Sequence, residues 1–301
     1  MVWLFPRKQI REFGSNKRRK EETDMKKRLA LLLAAVFCVA AITGCGGTAA
    51  ETKANDADDT VKLSVAASPT PHAEILKEAK ALLAEKGIEL EIIEFTDYVQ
   101  PNLVVDAGDI DANYFQHTPY LDSFNEEQGT NLVSAGAIHY EPLGIYPGKS
   151  NDLTNIPAGA EIIVPNDTTN EARALMLLEV NGIIKLKEGA GLKATKADIE
   201  EYLFDVEIVE MEAAQVAKSA ADADFVVVNG NYALLADFSI ADALAIEEAD
   251  SEAAKTYANI VAVREGDETR PEIQTLIEVL KGLEIKSYIE DTYEGAVLPT
   301  E

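Results

Sequence analysis

The stretch AEIIVPNDTTNEARALMLLEVNG, residues 160–182, joins a short apolar run to a longer amphipathic one. Residues 160–166 have the length and the β-branched content of a strand that ends in Pro-Asn. The following segment, TNEARALMLLEVNG, carries apolar residues at helical spacing, and Gly182 ends it. This order of strand, turn and helix predicts one unit of an α/β fold.

The same alternation continues on both sides of this unit. Residues 61–68 and 88–95 are predicted strands, and the helix between them opens at Pro71 and stops at Gly87. Further strands are predicted at 206–212, 224–230 and 257–265, and helices at 98–109, 213–223 and 270–293. Strands and helices that alternate in this way indicate an α/β architecture with mostly parallel sheets flanked by helices.

Residues 139–159, HYEPLGIYPGKSNDLTNIPAG, are rich in Pro and Gly and interrupt the alternation. We interpret this segment as the crossing between two lobes, one formed by residues 61–145 with 250–301 and the other by residues 146–249. Two α/β lobes joined by a hinge enclose a cleft, and ligands of such sheets collect at the carboxyl ends of the strands. A ligand is therefore expected between the lobes.

Residues 25–44 have the form of an export signal, with Lys26-Lys27-Arg28 ahead of the apolar run 29–43. That run is short for a membrane span, which needs about 20 residues. The ending ITGC is similar to the lipobox of bacterial lipoproteins, in which the cysteine, here Cys45, becomes the lipidated first residue. An ordinary signal with an incidental cysteine is the alternative.

Two other N-terminal segments are predicted to lie outside the folded body. Residues 1–24 place seven basic residues ahead of a signal that begins well at Met25, and we interpret them as a non-native leader. Residues 45–60 are mostly small, polar and acidic, which is typical of a flexible tether. Because Cys38 lies in the discarded signal, the mature chain has neither a disulfide nor a thiol nucleophile.

The charge of the mature chain excludes one class of partner. From Cys45 onward the sequence holds 17 Lys plus Arg and 49 Asp plus Glu, a net charge of −32. Nucleic-acid binding depends on basic patches, so we expect no nucleic-acid partner. A strongly acidic surface suits an exported protein.

No familiar catalytic motif is present in the sequence. It contains no G-x-S-x-G, no P-loop, no G-x-G-x-x-G after a strand and no H-E-x-x-H, and GAGLKAT (189–195) follows a helix. His72, His117 and His139 are too dispersed to suggest a metal site by spacing. We therefore expect no enzyme, no metal ion and no cofactor.

Arg173 is a candidate ligand-binding residue. From Cys45 onward the only other arginines are Arg264 and Arg270, which flank the predicted surface loop EGDET. Arg173 instead lies in the first turns of a helix that follows a strand, where the helix N-terminus also attracts anions. A guanidinium can hold a carboxylate by two parallel hydrogen bonds, but a salt bridge on the helix surface fits the position equally well.

Two asparagines are further candidates. Asn229 follows the apolar strand FVVV, where an unpaired polar side chain would be costly to bury. Its amide offers a donor and an acceptor to a zwitterion, although Asn-Gly is also a strong turn dipeptide. Asn259, at the start of NIVAV, is a similar but weaker candidate.

The segment DANYFQHTPYL, residues 111–121, concentrates rings in a chain that has few of them. In an extended chain, alternation places Asn113, Phe115 and His117 on one face, with Tyr114 and Gln116 on the other.

Tyr120 and the upstream Tyr98 could join Phe115 and His117 around a ligand. Such rings suit a thioether, because sulfur–aromatic contacts are favourable by roughly 0.3–1.5 kcal/mol each. Packing in the hydrophobic core is the alternative, and the residues alone favour it.

Five ordered motifs resemble the NlpA/MetQ family of methionine-binding lipoproteins, the substrate-binding components of methionine ABC importers. They are DANYFQHTPYLD, HYEPLGIYPGK, IIVPNDTTNEARALMLLE, VVVNGNYA and YANIVAVREGD. The resemblance runs from about residue 60 to the C-terminus. It implies a two-lobed periplasmic-binding-protein fold, type II-like, that closes on an amino acid.

The resemblance also implies roles for the candidate residues. Arg173 would bind the ligand carboxylate, while Asn229 and Asn259 would hold the backbone groups of the amino acid. The ligand side chain would be surrounded by Tyr98, Phe115, His117 and Tyr120. The family usually has Pro where Thr168 stands and often has Phe where Tyr114 stands, a side chain that alternation turns away from the ligand.

The function implied by the resemblance is capture, not chemistry. A monomer anchored to the membrane through lipidated Cys45, on its extracytoplasmic side, would bind L-methionine or a close analogue. It would deliver this ligand to an ABC importer permease driven by a cytoplasmic ATPase. A family member that binds a methionine-containing dipeptide or another amino acid, a secreted enzyme, and a surface adhesin are the alternatives.

Overall fold

The predicted alternation of strands and helices is present in residues 60–248 and 255–300, which a computed structural model describes. These residues belong to one compact unit of the chain. The predicted leader, the signal segment, Cys45 and nearly all of the tether lie outside the described residues. Among the helices described, none has the length and apolar character needed to cross a membrane.

The strands and helices are numbered here in chain order. The strands are β1 Val61–Ala67, β2 Ile88–Glu94, β3 Ala112–His117, β4 Leu132–Tyr140, β5 Gly144–Pro147, β6 Ala160–Pro165, β7 Ile184–Leu186, β8 Ile199–Tyr202, β9 Val206–Met211, β10 Phe225–Val228, β11 Ala245–Ile246, β12 Asn259–Arg264 and β13 Leu298–Pro299. The α-helices are α1 His72–Glu85, α2 Gln100–Asp106, α3 Thr118–Gln128, α4 Thr168–Val180, α5 Ala213–Val216, α6 Gly230–Leu235, α7 Pro271–Leu280 and α8 Leu283–Tyr293.

The strands form two large sheets. The first has the order β13-β4-β12-β3-β1-β2, and the second has the order β11-β5-β10-β6-β9. A separate ribbon pairs β7 with β8. Each large sheet has its own hydrophobic core. Leu63, Leu76 and Leu276 belong to the core of the first, while Ile162 and Leu178 belong to the core of the second.

The prediction that the strands of each sheet pair mostly in parallel is wrong, because both sheets are mixed. In the first sheet β1 pairs in parallel with β2 and β3, but β12 is antiparallel to β3 and β4, and β13 is antiparallel to β4. In the second sheet β6 pairs in parallel with β9 and β10, but β5 is antiparallel to β10 and β11. Local alternation could not reveal this, because β12 and β13 return to the first sheet from the far end of the chain.

The chain passes from the first sheet to the second between β4 and β5 and returns at β12. β5 is a strand that the sequence did not predict, since it lies within the segment 139–159 interpreted as a crossing. The predicted lobe limits, 61–145 with 250–301 and 146–249, remain a prediction.

The strand and helix of residues 160–182 form β6 and α4 as predicted. Asp167 caps α4, because its carboxylate accepts a hydrogen bond from the backbone N–H of Asn170 over 3.0 Å. Beyond the helix, Gly182 has a φ of +69°, a left-handed conformation that glycine adopts without strain. The buried side of α4 places Leu175 and Leu178 in the core beneath the second sheet. The first turns of α4 are thereby fixed at the end of β6.

Candidate functional site

A small cavity lies where side chains from both large sheets meet. It is lined by Tyr98, Phe115, Gln116, His117, Tyr120, Glu141, Asn170, Arg173, Asn229, Gly230, Asn231 and Asn259. The structure thus brings all seven predicted ligand-binding residues to one cavity, together with five that the sequence did not single out. That these residues bind a ligand remains a prediction.

The first sheet supplies one side of the cavity from the end of β3 and the start of β12. Asn259 pairs with His117 of β3 and with His139 of β4, so these three residues lie side by side across the sheet. The second sheet supplies the other side. Because β6 and β10 run parallel, their carboxyl ends lie at the same edge of the second sheet. Arg173 follows the end of β6 and Asn229 follows the end of β10.

Aromatic rings form one wall, defined as Tyr98, Phe115 and Tyr120. Their ring centroids lie 5.7 Å apart for Tyr98 and Phe115, 5.8 Å for Tyr98 and Tyr120, and 6.0 Å for Phe115 and Tyr120. The Tyr120 hydroxyl donates to the backbone carbonyl of Tyr98 over 3.0 Å, and the Tyr98 hydroxyl donates to Oδ1 of Asn231 over 2.6 Å. The rings are held by one another and by their hydroxyls, with Phe115 buried.

The prediction that Gln116 lies on the face of β3 opposite Phe115 and His117 is wrong. This residue lines the cavity with Phe115 and His117, and its Nε2 donates to Oδ1 of Asn113 over 2.8 Å. The cause is a register shift, because Ile260 of β12 pairs with Gln116 and the next residue pairs with Tyr114, skipping Phe115.

Tyr114 does point away from the cavity, as alternation predicts. Its ring packs edge-on against His72 and His139, with centroids 4.7 Å and 5.3 Å away, and its hydroxyl is hydrogen-bonded to Nδ1 of His139.

Arg173 is buried and paired with a carboxylate that the sequence did not identify. Its Nε donates to Oε1 of Glu247 over 2.7 Å, and its Nη2 donates to Oε2 of Glu247 and to the backbone carbonyl of Glu141. Burial acts to lower the pKa of Arg173, but the carboxylate of Glu247 outweighs it and the pKa is raised. The guanidinium also lies over the Tyr257 ring, 4.4 Å from its centroid. The salt bridge is therefore inside the protein and not on the helix surface, and it does not use Nη1.

The imidazole of His117 is buried, and both of its nitrogens are hydrogen-bonded. Burial lowers its pKa to about 3, so the imidazole is neutral at physiological pH. Its Nδ1 accepts the backbone N–H of Tyr120 over 3.2 Å, which leaves the proton on Nε2, 3.2 Å from Oδ1 of Asn170. With both nitrogens engaged, the ring presents its carbon atoms to the cavity.

A chain of hydrogen bonds orients Asn229. Asn170 donates from Nδ2 to Oδ1 of Asp167 over 2.9 Å, which turns its own Oδ1 toward His117 and Asn229. Asn229 donates from Nδ2 to that oxygen over 2.9 Å. Its Oδ1 is consequently free, buried and without a hydrogen-bond partner in the described part of the chain. Asn229 thus brings an unused acceptor to the cavity.

His72, His139 and Glu141 form a buried cluster beside the cavity. One nitrogen of each imidazole and one carboxylate oxygen all lie within 4.8 Å of one another, and within the described ranges this is the group whose geometry could hold a metal ion. Burial lowers the pKa of His72 to about 4 and of His139 to about 3, and it raises the pKa of Glu141. His139 donates from Nε2 to Oε1 of Glu141 over 2.7 Å and its Nδ1 accepts from a tyrosine, so both of its nitrogens are paired without an ion. Nδ1 of His72 is buried and has no hydrogen-bond partner among the described residues.

Glu141 and Glu247 were missed because both stand in a chain with 53 acidic residues. One local signal was available for Glu141. Glu141 interrupts AIHYEPLGIY, a segment otherwise rich in apolar residues. A carboxylate that is buried in such a segment is costly unless it is paired, so its position indicates a partner.

Comparison with known proteins places these features in a family. The model of the NlpA lipoprotein family matches residues 63–301. The methionine-binding lipoprotein MetQ of Bacillus subtilis is 40% identical over 243 residues, which cover 79% of this chain and 88% of that protein.

Two solved structures resemble the chain along nearly all of their length. A lipoprotein structure from Ruminococcus gnavus ATCC 29149 is 63% identical with a TM-score of 0.79, covering 80% of this chain and 99% of that one. A nutrient binding protein from Burkholderia cenocepacia, bound to methionine, is 40% identical with a TM-score of 0.75, covering 80% and 100%. The predicted periplasmic-binding-protein fold is confirmed by these neighbours. The chain belongs to the NlpA lipoprotein family, as the resemblance of its motifs predicts.

Proposed function

We propose that the protein captures L-methionine, or a close analogue, in the cavity between its two sheets. It would do so as a lipid-anchored, extracytoplasmic substrate-binding protein that delivers the ligand to an ABC importer permease and its ATPase.

The observation that carries this proposal is the free Oδ1 of Asn229 in the same cavity as Arg173. The oxygen is buried and no residue within 60–248 or 255–300 donates to it, and leaving it so costs about 1–3 kcal/mol. An ammonium group would supply the missing donor, while the guanidinium offers Nη1 to a carboxylate. An acceptor and a cation in one small cavity suit the two ends of an amino-acid zwitterion.

The aromatic wall supplies the argument for methionine. Tyr98, Phe115 and Tyr120 present ring faces and edges to one part of the cavity, a surface that suits a polarizable thioether. The relatives that are named for methionine, and the neighbour bound to it, support the same ligand.

The two sheets also suggest how the ligand would be enclosed. Side chains from both line the cavity, so a ligand that contacts both would favour a closed arrangement over an open one. The closed form would be the one presented to the permease. Lipidation of Cys45 would keep the protein at the membrane, and more than one acyl chain is needed for stable anchoring.

Native mass spectrometry of the purified protein tests the proposal. We expect a one-to-one complex whose released ligand has the mass of methionine. Arg173→Ala is the matched variant and should purify empty. A protein that carries no ligand, and that gives no complex when L-methionine is added, would refute the proposal. Release of the protein from membranes by Cys45→Ser would separately test the lipid anchor.

A further inference from the structure

We propose that His72 is a positioning residue that fixes the amide of Asn259, so that its Nδ2 donates to the carboxylate of the bound ligand. This inference rests on the proposed function. It adds an explanation of how the cavity distinguishes a carboxylate from an uncharged amide.

The proton on His72 is placed by Glu141. Oε1 of Glu141 lies 3.4 Å from Nε2 of His72 and 2.7 Å from Nε2 of His139. A carboxylate oxygen accepts hydrogen bonds, so an N–H at each Nε2 is favoured and a lone pair there would be repelled. The Tyr114 hydroxyl next to Nδ1 of His139 supports the same assignment for that ring.

The N–H of His72 in turn fixes Asn259. Nε2 of His72 lies 3.0 Å from Oδ1 of Asn259, and both groups are buried. If the amide were reversed, its NH2 group would face the N–H of His72 at this distance and no hydrogen bond could form. The oxygen is therefore held toward His72. The planar amide turns Nδ2 the other way, and Asn259 lines the cavity.

The two asparagines of the cavity consequently have opposite polarity. Asn229 presents an oxygen to which none of the described residues donates, whereas Asn259 presents an NH2 group. An ammonium group only donates and a carboxylate only accepts. Asn259 and Arg173 thus both donate to the ligand carboxylate. An uncharged carboxamide that turns its NH2 group toward Asn259 would face the NH2 group of Asn259, and no hydrogen bond could form.

The experiment compares two ligands on three proteins. Calorimetry gives the dissociation constants of L-methionine and L-methioninamide for the wild type, His72→Leu and His72→Gln. Leu removes the N–H, while Gln can place an amide N–H close to the position of Nε2. Circular dichroism confirms that each variant is folded.

We expect the ratio of the two dissociation constants, methioninamide over methionine, to fall about tenfold in His72→Leu. In His72→Gln it should return to within about threefold of the wild-type value. An equal loss of affinity for both ligands in His72→Leu, with the ratio unchanged, would show that His72 only supports the structure and would overturn the inference. Failure of the wild type to bind L-methionine would instead overturn the proposed function, and this inference with it.

Asn259→Asp provides a second test that does not depend on the folding of His72→Leu. The isosteric carboxylate can still accept from His72 but turns an acceptor to the cavity. The preference for methionine over methioninamide should shrink by at least tenfold. If Asn259→Asp keeps the wild-type preference, Asn259 does not donate to the carboxylate and the inference fails.

Discussion

The two walls of the cavity are built on different physical principles. The aromatic wall is held by ring contacts at 5.7–6.0 Å, which are weakly directional, and by one hydroxyl hydrogen bond from each of Tyr98 and Tyr120. The Phe115 ring has ring contacts alone and tolerates small shifts. The opposite wall, which we call the polar wall, consists of Arg173, Asn229 and Asn259. Each of its groups is fixed by directional hydrogen bonds to a buried partner.

This difference assigns different tasks to the two walls. Groups of the polar wall have one allowed orientation each, so they can define which end of a zwitterion lies where. The rings of the aromatic wall offer apolar contact, and Phe115 can adjust, so they contribute affinity and a modest preference for sulfur. Substitutions in the polar wall should therefore cost far more than substitutions in the aromatic wall.

The largest effect is expected for Arg173→Ala. Removing the guanidinium takes away the cation for the ligand carboxylate. It also leaves the partly buried carboxylate of Glu247 without its charged partner, although Tyr140 and the backbone N–H of Leu143 still donate to it. We expect methionine binding to weaken by at least about a hundredfold and the protein to lose about 3–5 kcal/mol of stability. Calorimetry and urea unfolding measure the two losses.

A double variant separates these two consequences. Arg173→Ala with Glu247→Gln removes the unpaired carboxylate, so it should recover part of the stability but none of the binding. Wild-type affinity in Arg173→Ala would show that the polar wall does not hold a carboxylate.

A second prediction concerns the three buried histidines at the cavity and beside it. The chain has three histidines, and burial lowers the pKa of each, to about 3 for His117 and His139 and about 4 for His72. The unfolded chain takes up these protons near pH 6.5, before the folded protein does. Each imidazole therefore adds stability that is present above pH 6.5 and is lost as the pH falls toward its folded pKa.

Between pH 7.5 and pH 5.5 this loss amounts to about 1.4 kcal/mol for each imidazole. Glu141, Asp167 and Glu171 act in the opposite direction, because burial raises their pKa, to about 7 for Glu171, and the folded protein binds their protons first. Urea unfolding at both pH values measures the change in stability for the wild type and for a variant that lacks one imidazole. In the His117→Gln variant the stability lost between pH 7.5 and pH 5.5 should be smaller than in the wild type by about 1.4 kcal/mol. An equal loss in this variant and the wild type would mean that His117 is not buried in its neutral form.

The smallest effect is expected in the aromatic wall. Phe115→Leu should lower the preference for L-methionine over L-norleucine, in which CH2 replaces sulfur, by about twofold to tenfold. Phe124→Leu is the control, because Phe124 belongs to the same cluster of rings but does not line the cavity. Competition calorimetry measures both preferences. Equal changes in the two variants would show that the wall does not recognise sulfur.

The sequence predicted those parts of the molecule that are encoded locally. Apolar periodicity located β6 and α4, and the ends of the strands located Arg173, Asn229 and Asn259. These residues meet in one cavity because the carboxyl ends of β6 and β10 share an edge, while β12 begins beside the end of β3.

What the sequence could not predict depends on long-range pairing. Glu247 reaches Arg173 across 74 residues, and no local pattern marks it as a partner. Gln116 enters the cavity because the register of β3 and β12 shifts, a property of the strand pair and not of either strand. The mixed pairing of the sheets has the same origin.

The most direct measurement is calorimetric titration of the protein after unfolding and refolding have removed any bound ligand. We expect L-methionine to bind at one site per chain. Two analogues should each bind at least about a hundredfold more weakly: methioninamide, which lacks the carboxylate, and 4-(methylthio)butanoate, which lacks the ammonium group. Absence of heat with L-methionine, or equal affinity for all three compounds, would contradict a cavity built around the two ends of a zwitterion.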